Sequence, residues 1–92
     1  MTKYKLSPEA KEDLIRIYNY GISMFGLAQA DHYLSQLLNC FERIAKNPNQ
    51  YQSVDHIIPG YRRCVHKSDS IYFIANEKSI EIMAIVGRQD FG

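Results

Sequence analysis

Ile58-Pro59-Gly60-Tyr61-Arg62-Arg63 opens the second half of this chain, and Ile85-Val86-Gly87-Arg88-Gln89-Asp90 closes it. Between them lie three runs with strand character: Tyr61 to Lys67, Ile71 to Ala75 and Ser79 to Val86. Ser68-Asp69 separates the first two as a two-residue turn, and Asn76-Glu77-Lys78 separates the last two. Runs this close together predict an antiparallel meander. In the last run Ile80, Ile82, Ala84 and Val86 alternate with Glu81, Met83 and Ile85. It is apolar on both faces near its end, which predicts a central strand.

The first half reads as helix. Ser7-Pro8-Glu9-Ala10 is a helix start: the serine hydroxyl can cap a free backbone N–H, and proline loses no hydrogen bond at the first helical position. Glu9, Glu12 and Asp13 suit the positive end of the helix dipole. Ala10, Leu14, Ile17, Tyr18, Gly21 and Phe25 share one face, and Glu12 and Arg16 form an i,i+4 pair outside it. Gly26 suits the left-handed, positive-φ position that ends the helix. A second helix follows at once, with the stripe Ala30, Tyr33, Leu34, Leu37, Leu38, Phe41, Ile44 and Ala45, and stops at Asn47-Pro48. So short a connection predicts an antiparallel helical hairpin. Lys3 to Leu6 alternates as a short strand. Residues 47 to 60 read as a long loop, with Ile57 and Ile58 tucked against the core. Helices followed by strands, rather than alternating with them, give an α+β fold: a short N-terminal strand, a helical hairpin, then a three-stranded antiparallel meander.

Ninety-two residues make one domain, residues 1–92, and 46% apolar content supports a folded core. No run approaches the roughly 18 apolar residues of a membrane helix. The first residues, Met1-Thr2-Lys3-Tyr4-Lys5-Leu6-Ser7, lack the apolar stretch of a secretory leader, which predicts a cytoplasmic location and no membrane partner. A net charge of +1 gives no support to direct nucleic-acid binding, which rests on clustered positive charge. The local exception is Arg62, Arg63, His66 and Lys67.

Cys40 and Cys64 lack metal or redox spacing and read as reduced, small hydrophobes. His32, His56 and His66 lie far apart without clustered acidic or thiol partners, so no metal site is expected. There is no phosphate-binding loop, no HExxH, no GxSxG and no nucleophile paired with histidine and aspartate. No catalytic residue is assigned, and no cofactor.

The ordered set Leu6-Ser7-Pro8-Glu9-Ala10, Phe25-Gly26, Ala30, Tyr33-Leu34, Phe41-Glu42-Arg43-Ile44-Ala45, Asn47-Pro48 and Pro59-Gly60-Tyr61-Arg62-Arg63 resembles the ParE branch of the RelE/ParE toxins. Ile71-Tyr72-Phe73, Glu81-Ile82 and Gly87-Arg88-Gln89-Asp90 continue the match, which spans residues 4 to 90. The resemblance implies the RelE/ParE fold and a cofactor-free toxin of a type II toxin–antitoxin system. Its implied partner is a cognate ParD-like antitoxin, a ribbon-helix-helix protein with an acidic amphipathic tail. ParE-like members poison DNA gyrase, whereas RelE-like members cut mRNA on the ribosome. Two departures stand out. Cys64 replaces an aromatic residue common in relatives, and Val86 replaces a histidine, which removes histidine acid–base chemistry at that position.

Gyrase is the expected target. Alternatives are ribosome-dependent mRNA cleavage, using Arg63, Lys67, Tyr72 and Arg88, and a non-toxic protein-binding module. Arg62 and Arg63 are adjacent on a strand and point to opposite faces. Cys64 suits the covered face, so Arg63, on the other, is expected to be the more exposed. Arg63 and Arg88, with Tyr61, Tyr72 and Lys67 near them, are the candidate target contacts. Leu34, Leu38 and Phe41 are candidate antitoxin contacts, on condition that the core does not already claim them.

Overall fold

The structure is a computed structural model that describes residues 3–87. Its elements are β1 (Tyr4–Leu6), α1 (Pro8–Phe25), α2 (Leu27–Lys46), a 3₁₀ turn (Pro48–Gln50), β2 (Gln52–Ser53), β3 (Arg62–His66), β4 (Asp69–Ala75) and β5 (Ile80–Gly87). The α+β class, the hairpin and the meander β3-β4-β5 all stand. The sheet is wider than the meander, with five strands in the order β1-β5-β4-β3-β2. β1 pairs with β5 in parallel, Tyr4 opposite Ile80 and Leu6 opposite Ile82. The whole helical hairpin serves as part of the long crossover that parallel pairing needs. β5 is therefore flanked on both sides, in the central position its apolar faces predict.

Ser7 joins β1 to α1. Its hydroxyl accepts from the Ala10 N–H at 3.0 Å and donates to the Met83 carbonyl at 2.9 Å. Its own N–H donates to the Ile82 carbonyl at 3.0 Å. The cap thus also ties the helix to β5, and Ser7 is buried. Replacing it removes a cap and leaves a carbonyl without a donor. Ser7→Ala should lower stability by about 1–3 kcal/mol. The measurement is a lower urea midpoint with an unchanged slope; an unchanged midpoint would contradict the dual role.

Gly26 ends α1 and starts α2 in a single residue, with φ 92° and ψ 166°. The positive φ was expected, but ψ is extended rather than left-handed helical, a region essentially restricted to glycine. The helices approach closely behind this turn, where a Cβ on Gly21 would lie 3.4 Å from the Ala30 Cβ. The expected Glu12–Arg16 pair does not form. Arg16 instead bonds Asp13 Oδ1 at 2.7 Å, and Asp13 Oδ2 accepts the Ile85 N–H at 2.9 Å. That N–H lies just past a bulge: Tyr72 faces Ala84 and Phe73 faces Ile82, so Met83 is the extra residue.

The core lies between the hairpin and one face of the sheet. Ala10, Leu14, Ile17, Leu37, Cys40, Phe41 and Ile44 meet Cys64, Ile71, Phe73, Ile80, Ile82 and Ile85. Three expectations need correction. Phe25 is exposed: it is the last residue of α1, where the chain turns at Gly26. Ile57 and Ile58 are also exposed, and Val54 is the buried residue of that loop. The loop closes on its own backbone: Val54 N–H to Tyr61 carbonyl at 2.9 Å, and Gly60 N–H to Asp55 Oδ1 at 2.7 Å. Closure places Val54 inside and the isoleucines at the tip. The β3–β4 turn is Lys67-Ser68 rather than Ser68-Asp69, since His66 pairs with Asp69. Lys67 takes φ 54° at its first position, one usually given to glycine.

Candidate functional site

The residues singled out in the sequence fall into two places. The first is the sheet face away from the helices. Across it run Gln52, Arg63, Tyr72 and Ala84, each opposite the next in register. Val65, on the Arg63 side of β3, is exposed, whereas Cys64 faces the core, as the alternation predicted. Tyr72 and Tyr61 line a groove of about 530 Å³ together with Ile57, Ile58, Met83, Ala84 and Val86, closed at one end by Ser7, Pro8 and Glu9. The loop that fails to bury its isoleucines thus forms one wall of this groove.

Arg62 and Arg63 are both half-buried, so overall exposure does not separate them; their surroundings do. Arg62 Nη1 donates to the Tyr51 carbonyl at 2.7 Å, while the Tyr51 ring packs edge-on to Phe73. That is a structural contact at the edge of the core. Among the described residues Arg63 makes a 3.4 Å contact from Nη2 to Gln52 Oε1, and its Nε is buried without a hydrogen-bond partner. Arg63 lies opposite Tyr72, which lines the groove. Arg88 lies outside the described residues.

The second place is on the helical side. A cavity of about 400 Å³ lies between α1, α2 and the β3–β4 turn. Leu14, Ile17, Phe25, Leu34 and Leu37 give it apolar walls, and Tyr33, Lys67, Ser68 and Asp69 give it a polar end. Asp69 is only 3% exposed. Its Oδ2 accepts a short hydrogen bond from the Tyr33 hydroxyl, and its Oδ1 has no partner. Burial and this bond push the Tyr33 phenol well above its ordinary value, so it stays a donor. The Lys67 ammonium lies 5.6 Å from the centre of the Tyr33 ring, within cation–π range. His66 stacks obliquely on the same ring and meets Gln36 Oε1 at 3.2 Å. Burial, then the neighbouring Lys67 and Arg43, push the His66 imidazole below its usual range.

Lys67 is thus separated from Arg63, Tyr61 and Tyr72, with which the sequence had grouped it. Of the α2 candidates, Leu34 lines the cavity, Leu38 is 36% exposed, and Phe41 is fully buried. Phe41 fails the condition set for it and takes no part in docking. The Tyr33–Asp69 pair had no signal in the sequence: Asp69 reads as a turn residue, and Tyr33 as one more position in an apolar stripe. Cys40 and Cys64 are buried free thiols, and burial raises both above the ordinary thiol value. Among the described residues no group of three histidine, cysteine or acidic side chains could hold a metal ion, and no helix is long and apolar enough to cross a membrane.

The profile of the family described as "ParE toxin of type II toxin-antitoxin system, parDE" matches residues 4–90. Toxin ParE1 of Caulobacter vibrioides is 33% identical over 86 residues, covering 94% of this chain and 88% of that protein. Toxin ParE1 of Mycobacterium tuberculosis is 30% identical over 86 residues, covering 92% and 88%. A solved structure titled "Chromosomal ParDE TA system from P. aeruginosa" superposes with a TM-score of 0.81 at 22% identity, covering 95% of this chain and 96% of that one. A conserved hypothetical protein from Helicobacter pylori shares the fold more loosely, with a TM-score of 0.59 at 11% identity and full coverage of both chains.

Proposed function

This chain belongs to the ParE family of toxins of type II toxin–antitoxin systems, and from that membership we propose that it acts in the cytoplasm as a poison of DNA gyrase, restrained by a ParD-like antitoxin. The observation that carries the reading is the helix-free sheet face, where Arg63 stands opposite Tyr72, and Tyr72 lines an apolar groove with Ile57, Ile58 and Tyr61. An arginine and tyrosines around apolar side chains compose a protein-contact surface. The competing reading is cleavage of mRNA. It needs groups that converge on one 2′-hydroxyl and its phosphate. Here Lys67 lines the helical cavity and Tyr72 the opposite groove, which speaks for contact rather than chemistry.

Two assays on the purified chain test the proposal. It should inhibit gyrase supercoiling and promote gyrase-dependent DNA breaks, and leave mRNA intact in a translating extract. Codon-position cuts with unaffected gyrase would overturn it.

A further inference from the structure

The cavity between the helices holds a feature that a purely apolar docking groove does not require. Asp69 is 3% exposed, yet one of its two carboxyl oxygens, Oδ1, has no hydrogen-bond partner among the described residues. A buried polar atom without a partner costs roughly 1–3 kcal/mol, more for charged groups, so such atoms are rare in folded proteins. The side chain is held in place by Tyr33 through its other oxygen. Asp69 is one of the residues lining the cavity of about 400 Å³, with Leu14, Ile17, Phe25 and Leu37 in its walls. That shape and chemistry suit a long side chain with an aliphatic stem and a cationic tip. Lys67, at the polar end, does not fill the role itself: it is exposed, and its ammonium rests against the Tyr33 ring.

We propose that this cavity takes one basic side chain, arginine or lysine, from an amphipathic segment of the antitoxin, and that its tip donates to Asp69 Oδ1. The inference rests on the antitoxin reading above and adds to it a specific claim: within a tail that is acidic overall, one basic residue is an anchor. Apolar neighbours in the same segment cover the rim, where Tyr20 and Phe25 are 44% and 67% exposed.

The test is a double-mutant cycle with the protein encoded by the adjacent short reading frame as the probe. Asp69→Asn keeps the size of the side chain and an acceptor for Tyr33. It should weaken binding about 10- to 100-fold, the range of a hydrogen bond to a charged group. One Arg→Met or Lys→Met change in the partner's tail should cause a similar loss against the unaltered chain and little further loss against Asp69→Asn. Unchanged affinity of Asp69→Asn, or losses that simply add, would overturn the anchor while leaving the antitoxin reading intact. Should Asp69→Asn fail to fold, the partner-side scan decides: a tail in which every basic residue is replaceable without loss overturns the proposal. A probe that does not bind the unaltered chain at all overturns the antitoxin reading, and the anchor with it.

Discussion

Phe41→Ala should remove a large share of the stability of this domain. Phe41 has no exposed surface, and its ring meets Tyr4 edge-on with centroids 5.5 Å apart. Tyr4 sits on β1, which pairs with β5, so the phenylalanine joins α2 to the far edge of the sheet. Truncation loses the transfer energy of the ring and leaves a cavity walled by residues on three elements. Changes of this kind cost about 3–5 kcal/mol. A domain of this size holds roughly 5–15 kcal/mol in total. The expected loss of melting temperature is therefore about 12–40 °C. Leu38→Ala is the matched comparison. Leu38 lies on the same stripe of α2 but is 36% exposed, so its replacement should cost under about 1 kcal/mol and act instead on antitoxin affinity. Thermal melts and pull-downs of both variants separate the two roles. Equal destabilisation by the two changes would mean that the stripe is not divided between core and rim.

That division marks the limit of what periodicity reveals. The stripe of α2 told which side of the helix is apolar, and Ala30, Leu37, Phe41 and Ile44 are indeed buried. It did not tell where burial stops along the helix. Phe25, at the same spacing on α1 but at its last residue, is exposed. The helix start at Ser7 and the glycine between helices were legible because capping and positive φ are local demands. The parallel pairing of β1 was not, since it depends on which sheet edge is left free once the meander has formed. The loop of Ile57 and Ile58 misled for a related reason: hydrophobicity alone does not say whether a residue faces the core or a groove. The polar end of the helical cavity was equally hidden, because Tyr33 and Asp69 meet only through the packing of α2 on the β3–β4 turn.

The proposed target-contact face yields the prediction with the largest functional effect: Arg63→Glu should abolish growth inhibition. Alternation along β3 sets Arg63 on the face that no helix covers, directly between Gln52 and Tyr72. Its guanidinium makes one weak contact, to Gln52, and its Nε has no partner. Little of the fold depends on it, unlike Arg62, which holds the Tyr51 carbonyl. An arginine at the centre of an interface is commonly worth about 2–4 kcal/mol, so charge reversal should weaken target binding roughly 30- to 1000-fold. The melting temperature should stay close to that of the unaltered chain, and so should antitoxin affinity, since the helical cavity lies on the other side of the sheet. Arg63→Lys keeps the charge but loses the planar fork, and should give an intermediate phenotype if bidentate contact matters. Arg88→Glu carries the same expectation from the sequence alone. Colony counts after induction, paired with supercoiling inhibition by each purified variant, provide the measurement. Full toxicity and undiminished gyrase inhibition in Arg63→Glu would reduce Arg63 to a solubilising charge. The target contact would then have to lie elsewhere on the chain, with the groove of Tyr61 and Tyr72 the next place to probe.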